Sequence, residues 1–213
     1  MMVLQEIDAL QKEIDKVRGE INTDYYSISI GEWMSIYRDG DLDIHPEFQR
    51  FFRWSREQKT SFIESILLGI PIPPIFVSQR QDGKWDVIDG LQRLSTIFQF
   101  AGILRDEHGN PVEPLVLEKT NYLPSLENKV WSEEIAKEIE EKAIQLSFFF
   151  EDAPPEVTPL TDVQQRFIKR EKISVSIILR ESDDKAKYEL FQRLNTGGSQ
   201  LSYQEVRNAI LVM

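Results

Sequence analysis

The sequence predicts an α+β fold: a small mixed sheet with helices around it. Three observations carry this prediction. Short runs rich in β-branched and aromatic residues read as strands at 25–30, 75–79, 84–88 and 173–179. Amphipathic stretches lie between them and read as helices, one of them opened by a Ser55 cap. Glycines and prolines punctuate the junctions, and the order of elements mixes strands with helices around only a few strands.

The elements follow in order. Val3, Ile7, Leu10, Ile14, Val17 and Ile21 recur at spacings of four and three, an apolar helical stripe over segment 1–22. That stripe is either a short coiled coil that dimerises the protein or a helix lying on its own domain. The run 25–30 is a strand, and 31–37 a short helix ending at Asp39-Gly40. Ser55, with Gln58 three residues on, has the capping-box pattern for a helix to about Leu68 that turns Phe62, Ile63, Ile66 and Leu67 inward. Gly69 ends it, and Pro71, Pro73 and Pro74 forbid its continuation. Segments 75–79 and 84–88 form a hairpin around Gln81-Asp82-Gly83, and a helix over 91–100 starts directly afterwards. Residues 106–114 are turn-rich, 132–145 an acidic helix and 153–155 a loop, so about 106–160 reads as a variable acidic insert. Helix over 164–171, strand 173–179, helix 185–194, an Asn195-Thr196-Gly197-Gly198 loop and helix 202–211, opened by Ser202 with Glu205 three on, complete the chain. The last apolar helix has neither a C-cap nor a polar tail, which suggests that a further C-terminal domain follows.

Totals bound the function. A chain of 213 residues suits one large domain, 23–213, behind the N-terminal helix, and can bury a core without disulfides. With no cysteine, thiolate zinc sites and Cys nucleophiles are excluded, which fits a reducing cytoplasm. The N-terminus lacks the apolar run of a secretory signal, and no stretch approaches the ~20 apolar residues of a membrane span. Net charge is 25 − 36 = −11, which argues against a duplex-binding surface over the whole protein but leaves room for a local basic pocket. The acid is concentrated in 131–152, with seven Asp or Glu against two Lys.

Four stretches carry chemistry. In WDVIDGLQRLSTIFQF (85–100) a strand ends at Asp89, Gly90 turns, and a helix opens, so amides and the positive end of the helix dipole converge on one spot. Arg93 can fork onto phosphate oxygens, Asp89 can hold a divalent cation or a ribose hydroxyl, and Ser95 or Thr96 can add a hydroxyl donor. The alternative is that Asp89 caps the helix and Arg93 pairs with a carboxylate. In HPEFQRFFRWSREQK (45–59), Arg50, Arg53, Arg56 and Lys59 interleave with Phe48, Phe51, Phe52 and Trp54, a mixture able to stack on a base while touching phosphates, or else a core strand with solvated arginines. GIPIPP (69–74) is a rigid crossover. LFQRLNTGGSQLSYQEVRNAI (190–210) holds a glycine loop that could nest an anion or simply turn between helices.

In order, PEFQRFFRW, ESILLGIPIPPIF, DGLQRLSTI and FQRLNTGGSQLSYQEVRNAI resemble the signature of the DUF262 family, the N-terminal half of GmrSD-like restriction proteins, over roughly 28–210. The resemblance implies a ParB/sulfiredoxin-like fold and a nucleotide site, with nucleoside triphosphate hydrolysis associated with the DGQQR motif. Asp89, Gly90, Gln92 and Arg93 match that motif, Gln49 and Arg50 its upstream QR, and Asn195, Gly197, Gly198, Glu205 and Arg207 the downstream block. Leu91 departs from it, since Gln is commonest there, and this bears on hydrolysis more than on binding. Asp89, Gln92 and Arg93 are thus the expected catalytic set, Asp89 also the expected Mg²⁺ ligand. Gln49, Arg50, Gly90, Ser95, Thr96, Asn195, Gly197 and Gly198 would bind the nucleotide, and Phe48, Phe52 or Trp54 would stack its base. Many relatives carry a C-terminal HNH-type nuclease, whose metal chemistry needs several histidines; this chain has only His45 and His108. Two rival readings stand beside the NTPase. One is a non-enzymatic ParB-like DNA-sensing module using Arg50, Arg53, Arg56, Lys59 and the cluster Arg166, Lys169, Arg170 and Lys172. The other is an assembly subunit controlling a separate nuclease.

Overall fold

The alternation in Lys172–Ile178 (β7) turns Ile173, Val175 and Ile177 to one buried face, and this strand becomes the second of a five-stranded sheet. In the computed structural model, which describes residues 9–15, 22–44, 54–147, 156–179 and 182, the strand order is β1-β7-β3-β4-β2. β1 is Thr23–Ser29, β2 Leu42–Asp43, β3 Ile75–Gln79 and β4 Trp85–Asp89. β1 runs antiparallel to β7, β7 parallel to β3, β3 antiparallel to β4, and β4 parallel to β2. The fold is therefore α+β with a mixed sheet, as the sequence predicts.

The helices begin and end where their caps dictate. Residues 9–15 are helical (α1), with Leu10 and Ile14 of the N-terminal stripe exposed. Helix α2 (Ile30–Asp39) is capped by the Ser29 hydroxyl and stops at Gly40, whose φ of 77° is left-handed. Helix α3 (Arg56–Leu67) has the full Ser55–Gln58 capping box. Helix α4 (Leu91–Phe100) follows β4 through one glycine. Helix α5 is Glu133–Ser147, and α6 (Asp162–Arg170) has a second capping box from Thr161 and Gln164.

One core unites these elements. Trp33 and Met34 of α2, Ile63 and Ile66 of α3, and Leu94 and Phe98 of α4 pack over Ile75, Val77, Val87, Val175 and Ile177. The segment expected to be an insert joins this same core through Leu115, Leu117, Leu126, Val130, Trp131 and Val157. A short parallel pair, β5 (Lys129–Val130) with β6 (Thr158–Pro159), closes it on itself. Its acid lies on the outside of α5, where Glu133, Glu134, Glu138 and Glu141 are exposed. Inside, buried Glu64 accepts hydrogen bonds from the Thr120 hydroxyl and the Leu123 amide (3.0 Å), and the Thr60 hydroxyl accepts from Glu118 N–H, fastening the segment to α3. Among the described residues no helix is long and apolar enough to cross a membrane. The expected elements at 153–155, 185–194, 195–198 and 202–211 lie outside the described residues.

Candidate functional site

Strand directions gather the site at one end of the sheet. β4 finishes there at Asp89, and antiparallel β3 starts there, with Phe76 opposite Asp89. β7 and β3 are parallel, so β7 also begins at that end, and β1 ends there with Ser29 opposite Lys172. β2 is parallel to β4 and therefore points the same way, so the chain leaves Ile44 toward Asp89. It re-enters the described fold at Trp54, whose backbone N–H donates to Gln92 Oε1 at 3.4 Å. Both flanks of the Gln49-Arg50 motif are thus anchored on the Asp89 side. Phe48, Gln49, Arg50 and Phe52 themselves lie outside the described residues, as do Asn195, Gly197 and Gly198.

The turn is built around Gly90, the N-cap residue of α4, with φ 100° and ψ 10°. Only glycine holds that backbone without strain. A second constraint comes from packing. A Cβ at position 90 would collide with Ile75 Cδ1 and sit 3.4 Å from the Arg93 guanidinium. The close approach that requires glycine is thus made by the protein's own core. Gly90 offers no side-chain cap, so the opening turn of α4 presents its amides without one.

Arg93 turns back under this turn. Its Nη2 donates to Asp89 Oδ2 at 2.7 Å, and its Nη1 donates to the carbonyls of Pro73 and Pro74, the latter at 3.0 Å. Of the two sequence readings for Arg93, the structure displays the ion pair, and the carboxylate is that of Asp89 itself. The Arg93 side chain is 12% exposed, while that of Asp89 is 42% exposed. The sequence marks the proline crossover as rigid but does not show its partner: its prolines hold two carbonyls at the mouth of the turn, where the Arg93 guanidinium takes both.

Helix phase separates the remaining residues. Gln92 lies on the Trp54 side, and half-buried Trp54 packs edge-on to Phe62 with ring centroids 5.5 Å apart. Ser95 and Thr96 are buried, and Thr96 Oγ1 donates to Gln92 O at 2.7 Å, a bond internal to the helix. Farther along the shared face, Lys59 Nζ donates to Gln99 Oε1 at 2.9 Å; burial, with Arg56 nearby, lowers its pKa.

A second charged cluster, unmarked by any motif, stands at the other end of the β3–β4 hairpin. Arg80 Nε donates to Asp86 Oδ2 at 2.8 Å, and its Nη2 reaches both Asp86 Oδ1 and Asp43 Oδ2, the latter at 2.6 Å. Burial pushes the Asp86 carboxyl above its ordinary value, Arg80 opposing, while the two carboxylates raise Arg80. An aspartate at an inward position of an apolar strand is the only sequence signal for it. Among the described residues, no group of three His, Cys, Asp or Glu side chains is arranged to hold a metal ion.

A family model described as GmrSD restriction endonuclease, N-terminal domain, matches residues 30–212. No curated protein and no solved structure matches the chain.

Proposed function

The chain belongs to the family of GmrSD restriction endonuclease N-terminal domains, a restriction-related family, and we propose that it is a nucleotide-binding, NTP-hydrolysing regulatory domain. The observation that carries the reading is the Asp89-Gly90 turn: a half-exposed carboxylate at a strand end, beside a helix start whose cap residue has no side chain. The amides of this turn cradle phosphate. Asp89 would hold a Mg²⁺ through one carboxylate, and the ion would supply charge neutralisation at the phosphates; Mg²⁺ needs few protein ligands, so no three-carboxylate cage is required. Gln92 orients the phosphate or the attacking water, and Trp54 or the Phe48–Phe52 stretch stacks the base. Water attacks the terminal phosphorus, the bridging P–O bond breaks, and nucleoside diphosphate and inorganic phosphate leave. Gln49, Arg50, Asn195, Gly197 and Gly198 complete the nucleotide site, while Ser95 and Thr96 support it from the core side. A ParB/sulfiredoxin-like fold for the strand, glycine turn and helix is part of the same proposal. The protein works in the cytoplasm, dimerises through its N-terminal stripe, and controls a nuclease or helical domain joined to it or carried by another chain.

The test is nucleotide binding and phosphate release with ATP, GTP, CTP and UTP plus Mg²⁺, for wild type and Arg93→Ala. Turnover by wild type, lost in the variant, supports the reading and names the base. Absence of both binding and turnover with all four nucleotides overturns it.

A second reading, a module that contacts nucleic acid, is favoured by α6. At 100° per residue Val163, Arg166, Phe167 and Arg170 fall on one stripe, and Val163 is 67% and Phe167 46% exposed. Among the described residues none of Arg166, Arg170 and Lys172 pairs with a carboxylate, and Lys169 Nζ lies 5.5 Å from the Trp131 ring centroid. Cations interleaved with an exposed aromatic suit a single strand. Binding of a fluorescent oligonucleotide should weaken steeply with salt and fall in Arg166→Ala/Arg170→Ala; salt-independent binding or none removes this reading.

A further inference from the structure

We infer that Arg93 is the positioning residue of the Asp89-Gly90 site: it holds the Asp89 carboxylate and the Pro73–Pro74 crossover in one frame and does not itself carry the nucleotide's phosphate. The activity arm of this inference rests on the nucleotide reading above; its geometry does not.

Three observations lead here. A guanidinium has five N–H donors, and Arg93 commits three: two from Nη1 to the carbonyls of Pro73 and Pro74, one from Nη2 to Asp89 Oδ2. Its side chain is 12% exposed and lies against the backbone of Gly90, on the inner side of the turn. The Asp89 carboxylate already neutralises it, which weakens its pull on an incoming anion.

The arrangement assigns a separate task to each atom of Asp89. Oδ2 takes the Arg93 hydrogen bond and is thereby fixed in direction. Among the described residues Oδ1 receives no hydrogen bond from another side chain, and the carboxylate is 42% exposed, so Oδ1 is the oxygen left for a cation or a water. The two carbonyls contribute the other half of the frame. Pro73 and Pro74 have no N–H with which to anchor themselves, and their φ angles are fixed by their rings. Arg93 is what fastens this stiff crossover to the turn, setting where β3 begins and where Ile75 presses on Gly90. A lysine keeps the charge but has no planar fork with which to serve two carbonyls and a carboxylate together.

The experiment compares Arg93→Lys, Arg93→Ala, Asp89→Asn and Asp89→Asn/Arg93→Lys with wild type. For turnover of the preferred nucleotide with Mg²⁺, Arg93→Lys should lose kcat nearly as far as Arg93→Ala, within threefold, with KM moved less than threefold. The double variant should be no slower than Asp89→Asn alone, because the lysine can no longer misplace a carboxylate that is absent. Retained turnover in Arg93→Lys, or a tenfold rise in KM with kcat kept, makes Arg93 a phosphate ligand and overturns the inference. Should wild type turn over no nucleotide, the functional reading falls by itself and thermal unfolding decides the inference. Asp89→Asn and Arg93→Lys should then each lower Tm, the double variant by no more than the larger single shift. Additive shifts would show that the two residues are not a unit.

Discussion

Replacing Gly90 by alanine isolates the two constraints on the turn. The first is conformational: a φ of 100° costs a residue with a Cβ about 1–3 kcal/mol. The second is steric: the new methyl meets Ile75 Cδ1, a fully buried atom in a close-packed core, and overpacking of this kind costs about 1–3 kcal/mol. Gly90→Ala should therefore lose roughly 2–6 kcal/mol of stability. Ile75→Val removes Cδ1 and alone should cost about 1 kcal/mol. In Gly90→Ala/Ile75→Val the added methyl enters the space that Cδ1 vacates, so the steric part vanishes and the backbone part stays. The double variant should accordingly be more stable than the sum of the singles predicts, by at least ~1 kcal/mol. Urea unfolding of the four proteins, with equal m-values checked, measures this. Additivity within ~0.5 kcal/mol would refute the steric half of the reasoning. A Gly90→Ala protein as stable as wild type would refute both halves.

Two further variants probe the charged interior. Arg80→Met strips the cation from Asp86, which is 3% exposed, and should cost about 3 kcal/mol at neutral pH. Burial already raises the Asp86 pKa and Arg80 restrains that rise, so without Arg80 the carboxyl takes up its proton at still higher pH. The loss should therefore shrink as pH falls toward the ordinary carboxylate range, where folded Asp86 is neutral; urea unfolding giving the same loss at pH 7 and pH 5 would contradict this. Glu64→Ala leaves the Thr120 hydroxyl without its acceptor and the Leu123 amide with Thr120 Oγ1 alone, at 3.1 Å, and should cost about 2 kcal/mol, while Glu64→Gln, which keeps a carbonyl oxygen there, should cost less. Hydrogen exchange at the Leu123 amide reports the difference, and equal protection in all three proteins would show that the segment is held elsewhere.

Local chemistry wrote much of this fold into the sequence. Ser55 with Gln58 starts α3 because an orphan amide N–H donates to whichever side-chain oxygen lies three residues back, with no need of the rest of the protein. Asp89-Gly90-Leu91 turns strand into helix because one residue of positive φ suffices, and the strand at 173–179 follows from its own alternation. The family, too, is legible in the ordered motifs. Long-range pairing was not. β2 has two residues and exists only because β4 offers it a parallel partner, and β3 lies beside β7 across about a hundred residues of chain. The segment at 106–160 looks peripheral because its charges are dense, but its leucines and Trp131 join the common core, and sequence charge reports only the face turned to water. Arg93 shows the same division within one residue. Its place in the first turn of α4 is local, but its partners come from a proline loop some twenty residues earlier, and only the sheet register brings those carbonyls within its reach.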